Sequence, residues 1–156
     1  MKRSEMAANL FCEGYNCAQA VFGAFADVMG IDKKEAMRMS SSFGGGMGRL
    51  REVCGAVSGM FMVAGVLFGY DDPCDDNAKK EHYKLIQDMA SRFKEKNGTI
   101  ICRELLDGIA KDTLPTPSPR TEEYYKTRPC VRFVMDSADI LEEIISEKGV
   151  TVTEDK

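Results

Sequence analysis

Val53-Cys54-Gly55-Ala56-Val57-Ser58-Gly59-Met60-Phe61-Met62-Val63-Ala64-Gly65-Val66-Leu67-Phe68-Gly69-Tyr70 contains no charged side chain, and its reading decides the fold. A membrane-spanning helix needs about 20 apolar residues. This run is shorter and is interrupted by Cys54, Ser58 and four glycines. The spacings Gly55/Gly59 and Gly65/Gly69 let neighbouring helices approach closely. We therefore read the run as the central buried helix of a compact multi-helix bundle, and the chain as all-α with no membrane partner.

The rest of the chain agrees with a packed core. Of 156 residues, 44% are apolar and 29% charged, a balance that does not favour disorder. Lys+Arg number 21 against 25 Asp+Glu, a net charge of −4, and no cationic stripe is present to neutralise a phosphate backbone. Nucleic acid is thereby excluded as a partner. The length predicts one helical domain over 1–150, with a frayed tail at 151–156. Ser4, Glu5, Asn9 and Glu13 interrupt every apolar run near the start, which predicts a cytoplasmic location.

Outward from the central helix, caps and glycine stops mark further helices. A first short helix covers Ser4 to Glu13. Asn16 caps a second, running to Met29 with Val21, Phe22, Phe25, Val28 and Met29 on its apolar side. Asp32 caps a third, Lys33 to Ser42. Phe43-Gly44-Gly45-Gly46-Met47-Gly48 is a loop, because so many glycines cost too much backbone entropy inside a helix. An amphipathic helix follows at Asn77 to Lys96, burying Tyr83, Ile86, Met89, Ala90 and Phe93. Thr99 caps a short helix to Leu106, and the last helix starts near Pro129 and runs to Ser146. The intervening Lys111 to Thr127 segment holds three prolines and is long for a loop, so it wraps the surface or covers a site.

Six cysteines carry the chemistry: Cys12, Cys17, Cys54, Cys74, Cys102 and Cys130. A reducing compartment shifts multiple cysteines away from structural disulfides toward metal ligation or redox work. No C-x-x-C or zinc-knuckle spacing occurs, so any site must be assembled by the fold. Cys17, Cys54, Cys102 and Cys130 all fall at helix starts, where unpaired N–H groups and the positive dipole end stabilise a thiolate. Cysteine is also an ordinary small core residue, and that reading stands beside the functional one.

Asn16-Cys17-Ala18-Gln19-Ala20-Val21, Phe43-Gly44-Gly45-Gly46-Met47-Gly48, Cys54-Gly55-Ala56-Val57-Ser58-Gly59, Cys102 and Cys130 together resemble the C_GCAxxG_C_C family, named for its cysteine pattern and described as redox-active. The resemblance spans about residues 10 to 145. It implies a helical domain with a cysteine-based redox or metal role, similar in cysteine pattern to the iron–sulfur part of split-Soret cytochromes. Its functional cysteines map onto Cys17, Cys54, Cys102 and Cys130, leaving Cys12 and Cys74 incidental. Without C-x-x-C-H no haem attachment is expected.

The glycine loop can bring Gly44, Gly45, Gly46, Gly48 and, beyond it, Gly55 close to an anion or cluster sulfide, or can simply turn the chain between helices. It lacks the Lys-Ser/Thr ending of a P-loop, so no nucleotide is expected. Arg49 and Arg51 could offset thiolate charge. His82 lies in a polar stretch and reads as solvated, which disfavours a Cys-His hydrolase. Three functions remain. The leading expectation is a four-cysteine site that binds an iron–sulfur cluster or a soft metal such as zinc for electron transfer, as an oxidoreductase or electron carrier. The second is a metal-free thiol/disulfide protein acting on a redox partner. The third is a helical interaction module with structural cysteines. The small-residue helix is also compatible with a homodimer.

Overall fold

Caps set the element boundaries. The computed structural model describes residues 1–150; the tail expected at 151–156 lies outside the described residues. In chain order the helices are α1 (Arg3–Cys12), α2 (Cys17–Ala24), α3 (Ala26–Met29), α4 (Lys33–Ser40), α5 (Gly55–Phe68), α6 (Asp76–Asn97), α7 (Cys102–Leu105), α8 (Glu122–Thr127) and α9 (Cys130–Glu147). A 3₁₀ turn, Ser41–Phe43, extends α4 toward the glycine loop. No strand ladder forms among the described residues; one isolated antiparallel bridge joins Val53 to Ile101.

The helix expected from Asn16 to Met29 is two helices. Phe25 adopts φ −113° and ψ 11°, outside the helical basin. The Ala24 carbonyl released by this break accepts a 2.9 Å hydrogen bond from Arg3 Nη1. The same guanidinium grips Asp27 with Nη1 at 2.6 Å and Nη2 at 2.9 Å. A bidentate pair between buried Arg3 and the exposed Asp27 thus stabilises a helix break that local periodicity does not reveal.

The expected central helix is α5, and it buries Gly55 through Met60 along with Val63 and Ala64. A β-carbon on Gly59 would stand 2.8 Å from the Ala18 carbonyl oxygen, so α5 rides directly on the α2 backbone. The Gly65/Gly69 pair makes no such contact: nothing approaches the Gly65 position within 4 Å. No helix among the described residues is long and apolar enough to cross a membrane.

Helix α9 packs against α1, α2, α5 and α6. Its buried Phe133, Val134, Ser137, Ala138, Ile140, Leu141, Ile144 and Ile145 recur every three or four residues, as a helix facing a core requires. Phe11, Phe22, Phe25 and Phe93 complete that core from other helices. Each such side chain contributes about 1.5–3 kcal/mol by leaving water.

Helix α6 corrects two expectations. Tyr83 is exposed, its hydroxyl 2.8 Å from that of Tyr70, while neighbouring His82 is half-buried edge-on to the Tyr70 ring. The inward stripe of α6 is carried by Met89 and Phe93, and the first turns extend past the core. The expected Ile100–Leu106 helix is shorter, because Ile100 and Ile101 are committed to the bridge with the Val53 segment.

Candidate functional site

Four helix starts converge on one cavity. Cys17, Cys102 and Cys130 are the first residues of α2, α7 and α9, and Cys54 is the N-cap of α5. All four line a cavity of about 430 Å³. Cys12 and Cys74 are exposed and lie outside that lining.

Local chemistry places each thiol. Asn16 and Gln19 form a reciprocal cap: the Asn16 side chain accepts from the Gln19 N–H at 2.9 Å, and the Gln19 side chain accepts from the Asn16 N–H at 3.0 Å. This fixes the entry of α2 and therefore Cys17. The Cys54 N–H donates to the Ile100 carbonyl at 2.8 Å, and the Cys102 N–H donates to that of Glu52 at 2.6 Å. These two bonds flank the Val53/Ile101 bridge and set Cys54 beside the α7 start. Cys130 follows Pro129, whose missing N–H costs nothing at a helix beginning.

The glycine loop forms one wall. Gly44, Gly45, Gly46, Gly48 and Gly55 all contribute to the lining. The loop backbone is left-handed at Gly45, Gly46, Met47, Gly48, Arg49 and Arg51, an unusual density of such residues outside glycine. The N–H groups from Met47 to Glu52 are spent on carbonyls of the Ser42–Met47 stretch, so that of Gly48 does not face a ligand. Gly55 works by packing: a β-carbon there would stand 2.8 Å from the Phe43 carbonyl oxygen and 3.3 Å from Cys17 Cβ.

The 111–127 segment covers the site. Arg49 Nη1 donates to the carbonyls of Leu114, at 2.6 Å, and of Thr116, while Nη2 reaches Ser118 Oγ at 3.2 Å. Arg51 Nε holds the Asp112 carbonyl at 3.1 Å. Pro115, Pro117, Arg120 and Tyr124 from the same segment line the cavity, as does Arg128 beyond it. Part of this stretch is helix α8, capped by Thr121, which accepts from the Tyr124 N–H at 3.2 Å.

Helix-start placement does not lower all four thiol pKa values. Cys54 is pushed up to about 12, chiefly by burial, against the pull of the Ala56 and Val57 amides. Burial also raises Cys102, although Arg51 Nη1, 3.8 Å from its sulfur, works against that. Cys17 and Cys130 behave as a pair. Their mutual hydrogen bond holds Cys130 below the usual thiol range and Cys17 well above it. Burial opposes the lowering of Cys130, and the charges of Arg128, Arg120 and Arg51 support it. Desolvation thus outweighs the helix field at Cys54, and at Cys102 even with Arg51 beside it.

The sequence matches the family described as "Putative redox-active protein (C_GCAxxG_C_C)" over residues 15–144. The chain belongs to this family. No curated protein and no solved structure matches it.

In this C_GCAxxG_C_C protein, no three Cys, His, Asp or Glu side chains among the described residues stand where they could hold a metal ion. Sequence reasoning missed Arg120, Arg128, Tyr124 and Phe133 as cavity residues. Only the unusual length of the 111–127 segment hinted that this part of the chain would reach the site.

Proposed function

We propose that this C_GCAxxG_C_C protein is a thiol/disulfide redox protein in which Cys17 and Cys130 form the reactive pair. What supports it is that the two thiols line one cavity and are coupled to each other beside three arginines, which favours the thiolate of Cys130 over that of Cys17. The Cys130 thiolate attacks a sulfur of an oxidised partner's disulfide, a mixed disulfide forms, and the partner's other sulfur leaves as thiolate. Cys17 then gives its proton to that leaving sulfur and attacks the Cys130 sulfur, releasing the partner's remaining sulfur as a thiolate. Two electrons pass to the partner, and Cys17 and Cys130 end as a disulfide. The reducing cytoplasm would supply a dithiol to run the exchange backward.

The common cavity favours a second reading. Cys17, Cys54, Cys102 and Cys130 would together hold an iron–sulfur cluster, which supplies electron transfer when bound. The dithiol is put first because it needs only the two coupled sulfurs, Cys17 and Cys130.

One preparation decides between them. Protein purified anaerobically is assayed for iron and sulfide, then equilibrated across dithiothreitol redox buffers, alkylated and peptide-mapped. The dithiol reading expects substoichiometric metal and a single two-electron transition that links Cys17 to Cys130. Stoichiometric iron and sulfide, or a Cys17/Cys130 pair that never oxidises, overturns it.

A further inference from the structure

The cysteine cavity is strongly one-signed in a chain whose net charge is −4. Its lining includes Arg49, Arg51, Arg120 and Arg128 and no carboxylate. Three of these guanidinium groups have partners that explain their presence. Arg49 ties down the 114–118 strap, Arg120 donates to the carbonyls of Phe11 and Tyr15 at 2.9 Å each, and Arg128 donates to Ser118 Oγ at 3.1 Å.

Arg51 is different. It is only 3% exposed, its Nε and Nη1 are engaged by Asp112 and Cys102, and its Nη2 is buried with no hydrogen-bond partner. A buried cationic donor without an acceptor is destabilising unless a ligand completes it. The backbone holds it there at φ +60°, a left-handed conformation that a non-glycine residue adopts only when its surroundings impose it. Across the same cavity, Leu105, Leu106, Tyr124 and Phe133 provide apolar wall.

We propose that Arg51 Nη2 is an anion-binding subsite, so that the oxidised partner entering the cysteine cavity is a small organic disulfide that carries a carboxylate on an apolar body. This deepens the dithiol reading by naming a substrate class, and it rests on that reading for the reaction it serves. The other arginines contribute field, and Arg51 contributes the hydrogen bond that orients the anion.

The test uses two alkylating agents of nearly equal size, anionic iodoacetate and neutral iodoacetamide, on the reduced full-length protein with peptide mapping by mass spectrometry. Exposed Cys12 is the reference thiol in the same molecule. A cationic cleft concentrates an anion at least about tenfold, so the iodoacetate-to-iodoacetamide rate ratio at Cys17 and Cys130 should exceed that at Cys12 by that factor and fall as salt is added. In Arg51→Gln the excess should collapse, and in Arg51→Lys it should partly return. A ratio within the cavity equal to that of Cys12 overturns the subsite.

Should Arg51→Gln fail to fold, the wild-type protein still answers. Adipate, an unreactive dicarboxylate, should at millimolar concentration slow iodoacetamide at Cys17 and Cys130 but not at Cys12; no protection overturns the proposal. The redox titration is read separately. A pair that oxidises while the rate ratio is flat removes only the subsite. An elevated ratio with no disulfide removes only the dithiol.

Discussion

A β-carbon placed on Gly46 would lie 2.6 Å from the β-carbon of Cys102, so the loop passes this thiol only because Gly46 has no side chain. The position also sits at φ +73°. Contact and conformation both demand glycine, and they act at a cavity wall. Gly46→Ala should therefore cost on the order of 3 kcal/mol in a denaturant titration. Gly48→Ala, left-handed at φ +56° but with its nearest neighbour 3.9 Å away, should cost only about 1 kcal/mol. Equal losses at the two positions would refute the contact argument.

The glycines of α5 should split in sign. Gly59→Ala forces a methyl to within 2.8 Å of the Ala18 carbonyl oxygen and should destabilise the protein by about 2 kcal/mol. Gly65 lies exposed inside the helix with open space around it, so Gly65→Ala should raise stability by about 0.5–1 kcal/mol through helix propensity. Thermal unfolding monitored by circular dichroism reads both.

Alkylation against pH should single out Cys130. The hydrogen bond from Cys17 lowers it against the effect of burial, with Arg128, Arg120 and Arg51 assisting, so its reaction with iodoacetamide should rise and level off below the ordinary thiol range near about 8.5. Cys54, pushed up to about 12, should stay unreactive throughout. Peptide mapping that shows Cys54 reacting first contradicts this ordering.

Acid should weaken the α1–α3 junction. Partial burial pushes the Asp27 carboxyl up, but its hydrogen bond and charge pairing with Arg3 prevail and hold it below the usual range. A carboxyl lowered on folding stabilises the native state above its unfolded pKa, and that stability is lost as pH falls through the folded one. Asp27→Asn should remove this part of the acid dependence, and Asp27→Ala should cost about 1–2 kcal/mol at neutral pH by removing the carboxylate that Arg3 grips. Urea midpoints at pH 3 to 7 provide the measurement; identical acid profiles for wild type and Asp27→Asn would count against the pair.

The fold was largely legible because its signals are short-range. The charge-free 53–70 run, the Asn16 cap and the α9 periodicity each act within a few residues. The break at Phe25 was not legible, because Arg3, far away in the chain, takes the carbonyl that the break releases. Tyr83 and His82 exchanged their expected environments because helical periodicity does not say how far a helix extends beyond the core it packs on.

By itself, the sequence determined an all-helical chain with Cys17, Cys54, Cys102 and Cys130 at or beside helix starts, since capping and periodicity are local free energies written in neighbouring residues. Only the tertiary structure decided that these thiols share a cavity, that the 111–127 segment closes over it, and that Cys130 alone is acidic. Burial and electric field depend on which distant side chains pack together, and Arg51, Arg120 and Arg128 meet Cys130 only after the chain has folded.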